Sequence, residues 1–302
     1  MAHRPVLVAE VVDTFAGRSV VIDATVGAGG HAEALLQAGA RVVVGIDRDP
    51  DALEEARGRL APFGERFRPV LARFSRLADA AVGAGHPAVD GVLYDLGVSS
   101  MQLDRPDRGF SYRYPGPLDM RMGPTEADRP SAGDVVNGYP EEELARVIFE
   151  YGEERLSRRI AAAIVRARSR AQIRTTEELA AIVAGAVPRR RSGGHPARRT
   201  FQAIRIEVNG ELEEVRASLP QATGLLEPGG RLAVIAYHSL EDRIVKRFVL
   251  GESRLRALTK KPVRPSKAEA AENPRSRSAR LRAAERVAAA GLDAQGRAEV
   301  AA

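Results

Sequence analysis

Residues 20–31 read Val-Val-Ile-Asp-Ala-Thr-Val-Gly-Ala-Gly-Gly-His, a pattern that predicts a strand, a glycine-rich turn and the start of a helix. The first four residues are apolar and mostly β-branched, as in a buried strand, and they end in the acid Asp23. Gly27, Gly29 and Gly30 allow backbone angles that a Cβ atom would forbid and let the main chain approach a ligand closely. This order is typical of the first unit of a nucleotide-binding α/β sheet.

A second acid narrows the class of ligand. The next apolar run, residues 42–46, ends at Asp47, twenty positions after Gly27. An acid about 20 residues beyond the glycine turn is placed to accept hydrogen bonds from a ribose diol, which predicts an adenosine-type ligand. The spacing Gly27-x-Gly29-x-x-Ala32 also fits a dinucleotide fingerprint, so NAD remains possible on these residues alone.

A third acid favours a cationic ligand. Residues 89–95 read as strand four and end at Asp95, so Asp23, Asp47 and Asp95 are all expected at the carboxyl edge of the sheet, where ligands bind in open α/β folds. Three acids suit a sulfonium with an ammonium group better than a pyrophosphate, which favours S-adenosylmethionine over NAD. Residues 67–74 read as strand three, and its last residue, Phe74, could lie on an adenine ring.

Composition excludes several other classes of protein. The 302 residues include no cysteine, so disulfides and thiolate metal sites are excluded, and the five histidines lack the close spacing of a zinc centre. No apolar run approaches about 18 residues and no hydrophobic signal segment follows the first residues, so we expect a soluble, cytoplasmic protein without a membrane partner.

Positive charge is clustered along the chain. Residues 1–98 carry a net charge of −3, whereas residues 151–200 and residues 254–286 each carry +8. The chain has 42 arginines and 4 lysines, a bias typical of a GC-rich genome, so the clustering rather than the number of arginines predicts a polyanionic partner. The loop over residues 188–200 is interpreted as a phosphate-contacting or substrate-covering segment. Its basic side chains are Arg189, Arg190, Arg191, Arg198 and Arg199.

The order of the strand and helix patterns predicts that a helical segment is inserted between strand four and strand five. Residues 104–138 are rich in Gly, Pro, Asp and Arg, and residues 140–187 have helical periodicity. A turn and strand five follow over residues 226–237, then His238 and a helix for which Ser239 and Asp242 have roughly the spacing of a capping box. Residues 254–287 predict a closing hairpin. The predicted segments are 1–103 and 200–287 for the two parts of the sheet domain, 104–199 for an inserted helical, basic, substrate-recognition domain, and 288–302 for a frayed tail.

With these residues in hand, the chain resembles the bacterial small-subunit ribosomal RNA methyltransferase H family over residues 3 to 286. The resemblance rests on a series of motifs in a fixed order. They are His3-x-Pro-Val-Leu, Asp23-Ala-Thr-x-Gly-x-Gly-Gly-His31, Asp47-Arg-Asp-Pro, Asp95-Leu-Gly-Val-Ser-Ser-x-Gln-Leu-Asp, Arg108-Gly-Phe-Ser, Gly116-Pro-Leu-Asp-Met-Arg-Met, Arg199-Thr-Phe-Gln-Ala-Ile-Arg-Ile-x-Val-Asn, His238-Ser-Leu-Glu-Asp-Arg and Asn273-Pro-Arg-Ser-Arg-Ser-Ala.

The resemblance implies a class I, Rossmann-like S-adenosylmethionine methyltransferase sheet of the α/β class with an inserted helical domain. It implies methylation of N4 of a decoding-centre cytosine in 16S rRNA, within the small subunit or its late precursor, by a monomer or homodimer. Carried over by similarity, the cofactor-binding residues are Gly29, Gly30, His31, Asp47, Phe74, Asp95 and Gln102.

The expected catalytic residues are Asp95 and His238. Many enzymes that methylate exocyclic amines carry Asp/Asn-Pro-Pro-aromatic after strand four, but here the run is Asp95-Leu-Gly-Val. An acceptor for the amine hydrogens is still needed, and Asp95 is the leading candidate, with Asp119 and His238 as alternatives. Two other functions stay open: a DNA amino-methyltransferase, although no DNA-reading module is recognisable and no DNA partner is expected, and a cofactor-binding ribosome assembly factor without turnover.

Overall fold

The structure, a computed structural model, describes residues 5–123, 129–188 and 194–288. The chain divides into two compact units. Unit 1 comprises residues 1–97 and 212–302, and unit 2 comprises residues 98–211. The inserted domain predicted from the sequence spans 104–199, so unit 2 extends beyond it along the chain in both directions.

Unit 1 is built on a sheet with the strand order β3-β2-β1-β4-β5-β7-β6. Strands β1 to β5 pair in parallel, whereas β7 runs antiparallel to both β5 and β6. This topology confirms the predicted α/β class with a Rossmann-like sheet, and the β6–β7 pair confirms the closing hairpin. The strands are β1 (Val20–Asp23), β2 (Val42–Asp47), β3 (Phe67–Leu71), β4 (Val89–Asp95), β5 (Leu226–Ala236), β6 (Leu255–Ala257) and β7 (Arg280–Arg286).

Helices flank the strands in unit 1 and form most of unit 2. Numbered along the chain, the α-helices are α1 (Val8–Thr14), α2 (Gly30–Gln37), α3 (Pro50–Leu60), α4 (Leu77–Gly83), α5 (Ser100–Asp104), α6 (Ala132–Gly138), α7 (Glu141–Glu150), α8 (Ser157–Arg168), α9 (Thr176–Ala186), α10 (Arg198–Asn209), α11 (Glu211–Leu225), α12 (Ser239–Gly251) and α13 (Lys267–Glu272). Short 3₁₀ helices cover Ala61–Arg66, Phe74–Arg76, Pro106–Arg108 and Pro274–Ser278. No helix among the described residues is both long and apolar enough to cross a membrane.

Both faces of the sheet are covered by helices. Successive strand residues point to opposite faces, so neighbours such as Val21 and Ile22 pack into different clusters. Val21 lies with buried residues of α1, α2 and α3, and Ile22 lies with those of α4, α11 and α12. This double coverage explains why the parallel strands read as continuous apolar runs. Their polar residues are therefore concentrated at the strand ends.

Two elements differ from the sequence prediction. Strand β3 ends at Leu71 rather than at Phe74, because Phe74 begins a 3₁₀ turn that leads into α4. The sequence of residues 200–219 also predicts one continuous helix, but this helix is broken at Gly210, whose φ of 59° lies in the left-handed region. The nearest atom to a Cβ there would be Nη1 of Arg129, the end of a flexible side chain, so it is the backbone conformation that favours glycine at this position.

Unit 2 has a core of its own, formed by α6, α7, α8, α9 and α10. Phe201, Ile204 and Val208 follow one another at helical spacing on α10 and all enter this core. The helix therefore belongs to unit 2, whereas the sequence analysis began the second part of the sheet domain at residue 200. The core also contains Asn209, which is fully buried and donates from Nδ2 to the carbonyl oxygen of Met120 at 2.8 Å.

Candidate active site

Three acids meet at one edge of unit 1, as the sequence predicted. Asp23, Asp47 and Asp95 are the last residues of β1, β2 and β4, which lie side by side in the sheet. All three strands run parallel, so their carboxyl ends share one edge. This edge is where α/β sheets bind their ligands, because the turns that follow the strands leave a crevice there.

Asp23 is the most deeply buried of the three. Its side chain is 1% exposed, and Oδ1 accepts a hydrogen bond from the Thr25 backbone at 3.2 Å. Within the described part of the chain, Oδ2 has no hydrogen-bond partner although it is buried. Burial raises the pKa of Asp23 to about 7, against the opposing effect of nearby His31. A buried carboxylate oxygen without a donor is a place where a ligand's cationic or N–H group can compensate the lost solvation.

His31 and Asp95 face each other beside Asp23. Nε2 of His31 lies 2.8 Å from the carbonyl oxygen of Val6, which can only accept, so Nε2 carries the hydrogen. The other ring nitrogen, Nδ1, lies 3.6 Å from Oδ2 of Asp95. The imidazole is thus held by the N-terminal segment and presents Nδ1 to the acidic edge.

Tyr237 is a site residue that the sequence reasoning missed. Its hydroxyl donates to Oδ1 of Asp95 at 2.8 Å. Burial, reinforced by the charge of Asp95, raises the pKa of Tyr237 well above its usual value, so the hydroxyl stays a donor at neutral pH. The available signal was its position: Tyr237 directly follows β5, at the same edge as the three acids.

The glycine turn is fixed by Asp47. The backbone N–H of Gly27 donates to Oδ2 of Asp47 at 2.9 Å, which ties the turn after β1 to the end of β2. Gly29 has a φ of 81°, and a Cβ there would lie 3.0 Å from Cδ1 of Leu60. A Cβ on Gly30 would lie 2.8 Å from Cγ of Pro5. Gly29 is therefore favoured by its backbone conformation, and Gly30 is favoured by the close approach of the Pro5 ring.

The predicted ribose and adenine contacts lie on neighbouring strands. Oδ1 of Asp47 accepts a hydrogen bond from the Asp49 backbone at 2.9 Å, and burial raises the pKa of the Asp47 carboxyl. The backbone N–H of Arg48 also contacts this carboxylate, so three backbone donors share its roughly four acceptor positions, which leaves capacity for a ligand hydroxyl. Phe74 follows the adjacent strand β3 and packs edge-to-face on Tyr94, with ring centroids 5.8 Å apart. Phe74 is only partly buried, so part of its ring is open to a ligand.

His238 caps a helix. Its Nδ1 accepts the backbone N–H of Glu241 at 3.4 Å, and a Glu241 carboxylate oxygen accepts the His238 backbone N–H at 3.2 Å. The sequence pattern predicts this capping box at Ser239 and Asp242, and that prediction is wrong by one position. Asp242 instead pairs with Arg282 at 2.6 Å. The predicted catalytic role of His238 stays a prediction.

Gln102 and Asp119 belong to unit 2. Gln102 is buried and forms a capping box with Ser99, whose backbone N–H it accepts at 3.1 Å. Asp119 accepts two hydrogen bonds from the guanidinium of Arg121, at 3.0 and 2.7 Å. Burial alone would raise the pKa of Asp119, but these bonds outweigh it and hold the pKa below its usual value. Asp119 is the alternative acceptor for the amine hydrogens, but both of its oxygens already accept hydrogen bonds from Arg121.

The predicted RNA-binding arginines fall into two groups. Arg189, Arg190 and Arg191 lie outside the described residues. Arg198 and Arg199 open α10 and are exposed.

Arg198 and Arg199 differ in the contacts that they make. Arg199 donates to the carbonyl oxygen of Glu153 at 2.9 Å and lies 3.7 Å from the carboxylate of Glu154. Arg199 is therefore partly committed to holding unit 2 together, whereas no such contact is found for Arg198 among the described residues.

The chain is similar to proteins of known family along nearly its whole length. The model of the MraW methylase family matches residues 1–287. A protein of Deinococcus deserti is 54% identical over 290 residues, which cover 95% of this chain and 94% of that protein. A protein of Carboxydothermus hydrogenoformans is 48% identical over 307 residues, covering 95% and 98%. Both carry the name ribosomal RNA small subunit methyltransferase H. The chain belongs to the MraW methylase family, and its cofactor is S-adenosylmethionine.

Proposed function

We propose that the protein transfers the methyl group of S-adenosylmethionine to the exocyclic N4 amine of a decoding-centre cytosine in 16S rRNA. The observation that carries the choice of substrate is the match, over 95% of the chain, to relatives named small-subunit rRNA methyltransferases. The position of the modified atom rests on the motif resemblance given above. The acceptor is proposed to be the small ribosomal subunit or its late precursor.

The acidic edge fits the cofactor's chemistry. When bound, S-adenosylmethionine supplies an electrophilic methyl group on a positively charged sulfur. The unpartnered Oδ2 of Asp23, together with Asp95, offers negative charge for a ligand that carries a sulfonium and an ammonium group. Asp47 would hold the ribose and Phe74 would flank the adenine. The amino-acid end would be lined by Gly29, Gly30 and His31, and Gln102 is proposed to complete the pocket.

Asp95 is proposed to accept the hydrogens of the target amine. The N4 lone pair of cytosine is conjugated into the ring, so an acceptor that draws the N–H bonds out of conjugation makes the lone pair available. As the N–C bond forms, the bond from the methyl carbon to sulfur breaks, and one N4 hydrogen then leaves as a proton. The hydroxyl of Tyr237 holds one oxygen of Asp95 by a hydrogen bond, so that the acceptor is oriented before the substrate arrives, and the other oxygen lies 3.6 Å from Nδ1 of His31.

The target base must leave its stack to reach the methyl group. A base inside a helix presents N4 in a groove rather than to an in-line donor, so the cytosine has to be extruded or unpaired. Unit 2, with its basic segment, is proposed to contact the surrounding RNA. Its candidate phosphate ligands are Arg189, Arg190, Arg191, Arg198 and Arg199.

The reaction is tested with radiolabelled S-adenosylmethionine and three acceptors: free 16S rRNA, small subunits that lack the modification, and duplex DNA. We expect label at cytosine N4 in the ribosomal substrates and none in DNA.

Asp95→Asn should lower kcat by about 10²-fold or more, because one acceptor oxygen becomes a donor. Asp79→Asn, an exposed acid of α4, serves as the matched control and should retain full activity. Label in DNA alone would assign the protein to the DNA amino-methyltransferases. Cofactor binding without transfer to any acceptor would assign it an assembly role.

A further inference from the structure

A second basic surface lies in unit 1, on the segment that connects β6 to α13 and on the first residue of that helix. We call residues 258–267 the basic loop. Its four cationic side chains are all exposed: Lys260, Lys261, Arg264 and Lys267. Within residues 5–123, 129–188 and 194–288, none of the four forms a salt bridge. Glu269, the next acid along the chain, accepts the backbone N–H of Leu7 at 2.8 Å.

The use of lysine in this loop runs against the composition of the chain. Only 4 of its 46 basic residues are lysines, yet three of them fall within residues 260–267. A compositional bias towards arginine does not account for lysines gathered in one short segment. An ammonium group is a compact charge with three donors on a flexible stem, which suits contacts with phosphate oxygens that do not need bidentate geometry.

The backbone of the basic loop is anchored to β7. Leu258 donates to the carbonyl oxygen of Ala283 at 2.9 Å, and Val263 exchanges two backbone hydrogen bonds of 2.9 Å with Leu281. Ala257 pairs with Ala284, and Val263 pairs with Leu281. The loop thus advances six positions between these two pairs, whereas β7 advances only three. Lys260 and Lys261 therefore lie in a bulge whose two ends are hydrogen-bonded. Anchoring a binding loop in advance lowers the entropy lost when it meets a partner.

Strand register places this loop at the substrate edge of the sheet. Asp95 pairs with Ile235, Ile235 with Leu281, and Leu281 with Val263. Val263 is thus three strand spacings from Asp95 along one row of the sheet, a separation of about 14 Å at about 4.8 Å per spacing. The positive charge of the loop therefore lies on the same edge as the proposed acceptor.

We propose that the basic loop binds the sugar–phosphate backbone of the substrate RNA, a few nucleotides from the base that reaches Asp95. The inference rests on the proposed RNA substrate and adds a contact surface on unit 1 to the one expected on unit 2. Because these exposed cations lie at a fixed distance from Asp95, they would determine which part of the RNA is positioned at the active site. Such contacts are independent of base identity and contribute affinity that falls with salt.

The scarcity of lysine makes a direct test possible. The intact protein is acetylated with an amine-reactive ester, alone and with small subunits that lack the modification, and the rate at each lysine is read by mass spectrometry. We expect Lys260, Lys261 and Lys267 to react about fivefold or more slowly in the complex, as phosphate contacts require. Lys246, exposed on α12 and at a distance in sequence, is the internal reference and should react at an unchanged rate. Equal protection of all four lysines, or of none, would overturn the inference.

Substitution gives an independent readout. The triple variant Lys260→Ala, Lys261→Ala, Lys267→Ala should lower the slope of log affinity against log salt by about 2, since about 0.7 is lost for each single-strand phosphate contact. Its affinity for S-adenosylmethionine should be unchanged, which shows that unit 1 is folded. The matched variant with arginine at the three positions should restore the slope.

The two ways of failing are distinguishable. If the wild-type protein binds neither free rRNA nor small subunits, the proposed function is wrong. If the wild type binds RNA and the alanine variant binds it with the same affinity and slope, only the role of the basic loop is wrong.

Discussion

Replacing Asp23 with asparagine is expected to change how the stability of the protein depends on pH. The carboxyl is 1% exposed, and burial raises its pKa from an ordinary value of 3.8 to about 7. The folded state therefore binds this proton more tightly than the unfolded state does. The stabilisation from that proton is fully present below about pH 4 and is lost as the pH rises towards 7.

The magnitude follows from the difference between the two pKa values. Each pKa unit corresponds to 1.36 kcal/mol, so a difference of about three corresponds to about 4 kcal/mol. In Asp23→Asn the side chain is neutral at every pH and keeps an oxygen for the Thr25 backbone. The free energy of unfolding of the wild type, relative to that of the variant, should fall by about 1.4 kcal/mol per pH unit between pH 4 and 7 and stay level above pH 8.

The assay is urea denaturation of both proteins, followed by far-UV circular dichroism at several pH values from 4.5 to 8.5. Asp79→Asn, which alters an exposed acid of the same unit, is the matched control, and its difference from the wild type should vary little with pH. A difference between wild type and Asp23→Asn that is constant over this range would refute the reasoning, because Asp23 would then ionise in the folded protein as it does in the unfolded chain.

Substitutions at three further positions separate binding, catalysis and folding. Asp47→Ala should weaken S-adenosylmethionine binding by about 1.5–3 kcal/mol, or roughly 10- to 100-fold, in calorimetric titration, and unchanged affinity would exclude the ribose contact. His238→Ala should cost about 1 kcal/mol of stability through the lost helix cap, whereas His238→Asn retains a capping oxygen and should restore it. If kcat returns with the asparagine variant, His238 acts only as a cap. Asn209→Ala should cost about 1–3 kcal/mol for each buried group left unpaired, among them the Met120 carbonyl and the Met122 N–H, and a urea midpoint like the wild type's would contradict this.

Much of unit 1 could be predicted because its signals are local. The strand that ends in Asp23, the glycine turn and the acid Asp47 twenty positions later all lie in one continuous stretch. Parallel strands covered on both faces must be apolar along their length, so acids at their ends stand out in the sequence. The three acids at this edge of the sheet could therefore be predicted from the sequence.

The remaining features depend on contacts between distant parts of the chain. The hydrogen bond from Tyr237 to Asp95 joins residues 142 positions apart. The position of Tyr237 after β5 places it at the edge of the acids, but it does not specify which of them the hydroxyl contacts. The cap of α12 was misplaced because serine is the commoner capping residue, whereas here the His238 ring accepts the bond. The assignment of α10 to unit 2 followed from the packing of Phe201 and Ile204, since an apolar helix face does not specify which core it enters.

The central claim is that the protein methylates cytosine N4 in small-subunit rRNA. The most direct measurement is mass spectrometry of nucleosides from the decoding region of small subunits that lack the modification, after incubation with the protein and S-adenosylmethionine labelled in its methyl group. The account predicts one labelled methyl group on N4 of a cytosine, present with the wild type and strongly reduced with Asp95→Asn. Label on another atom or another nucleotide, or no label while the cofactor is bound, would contradict it.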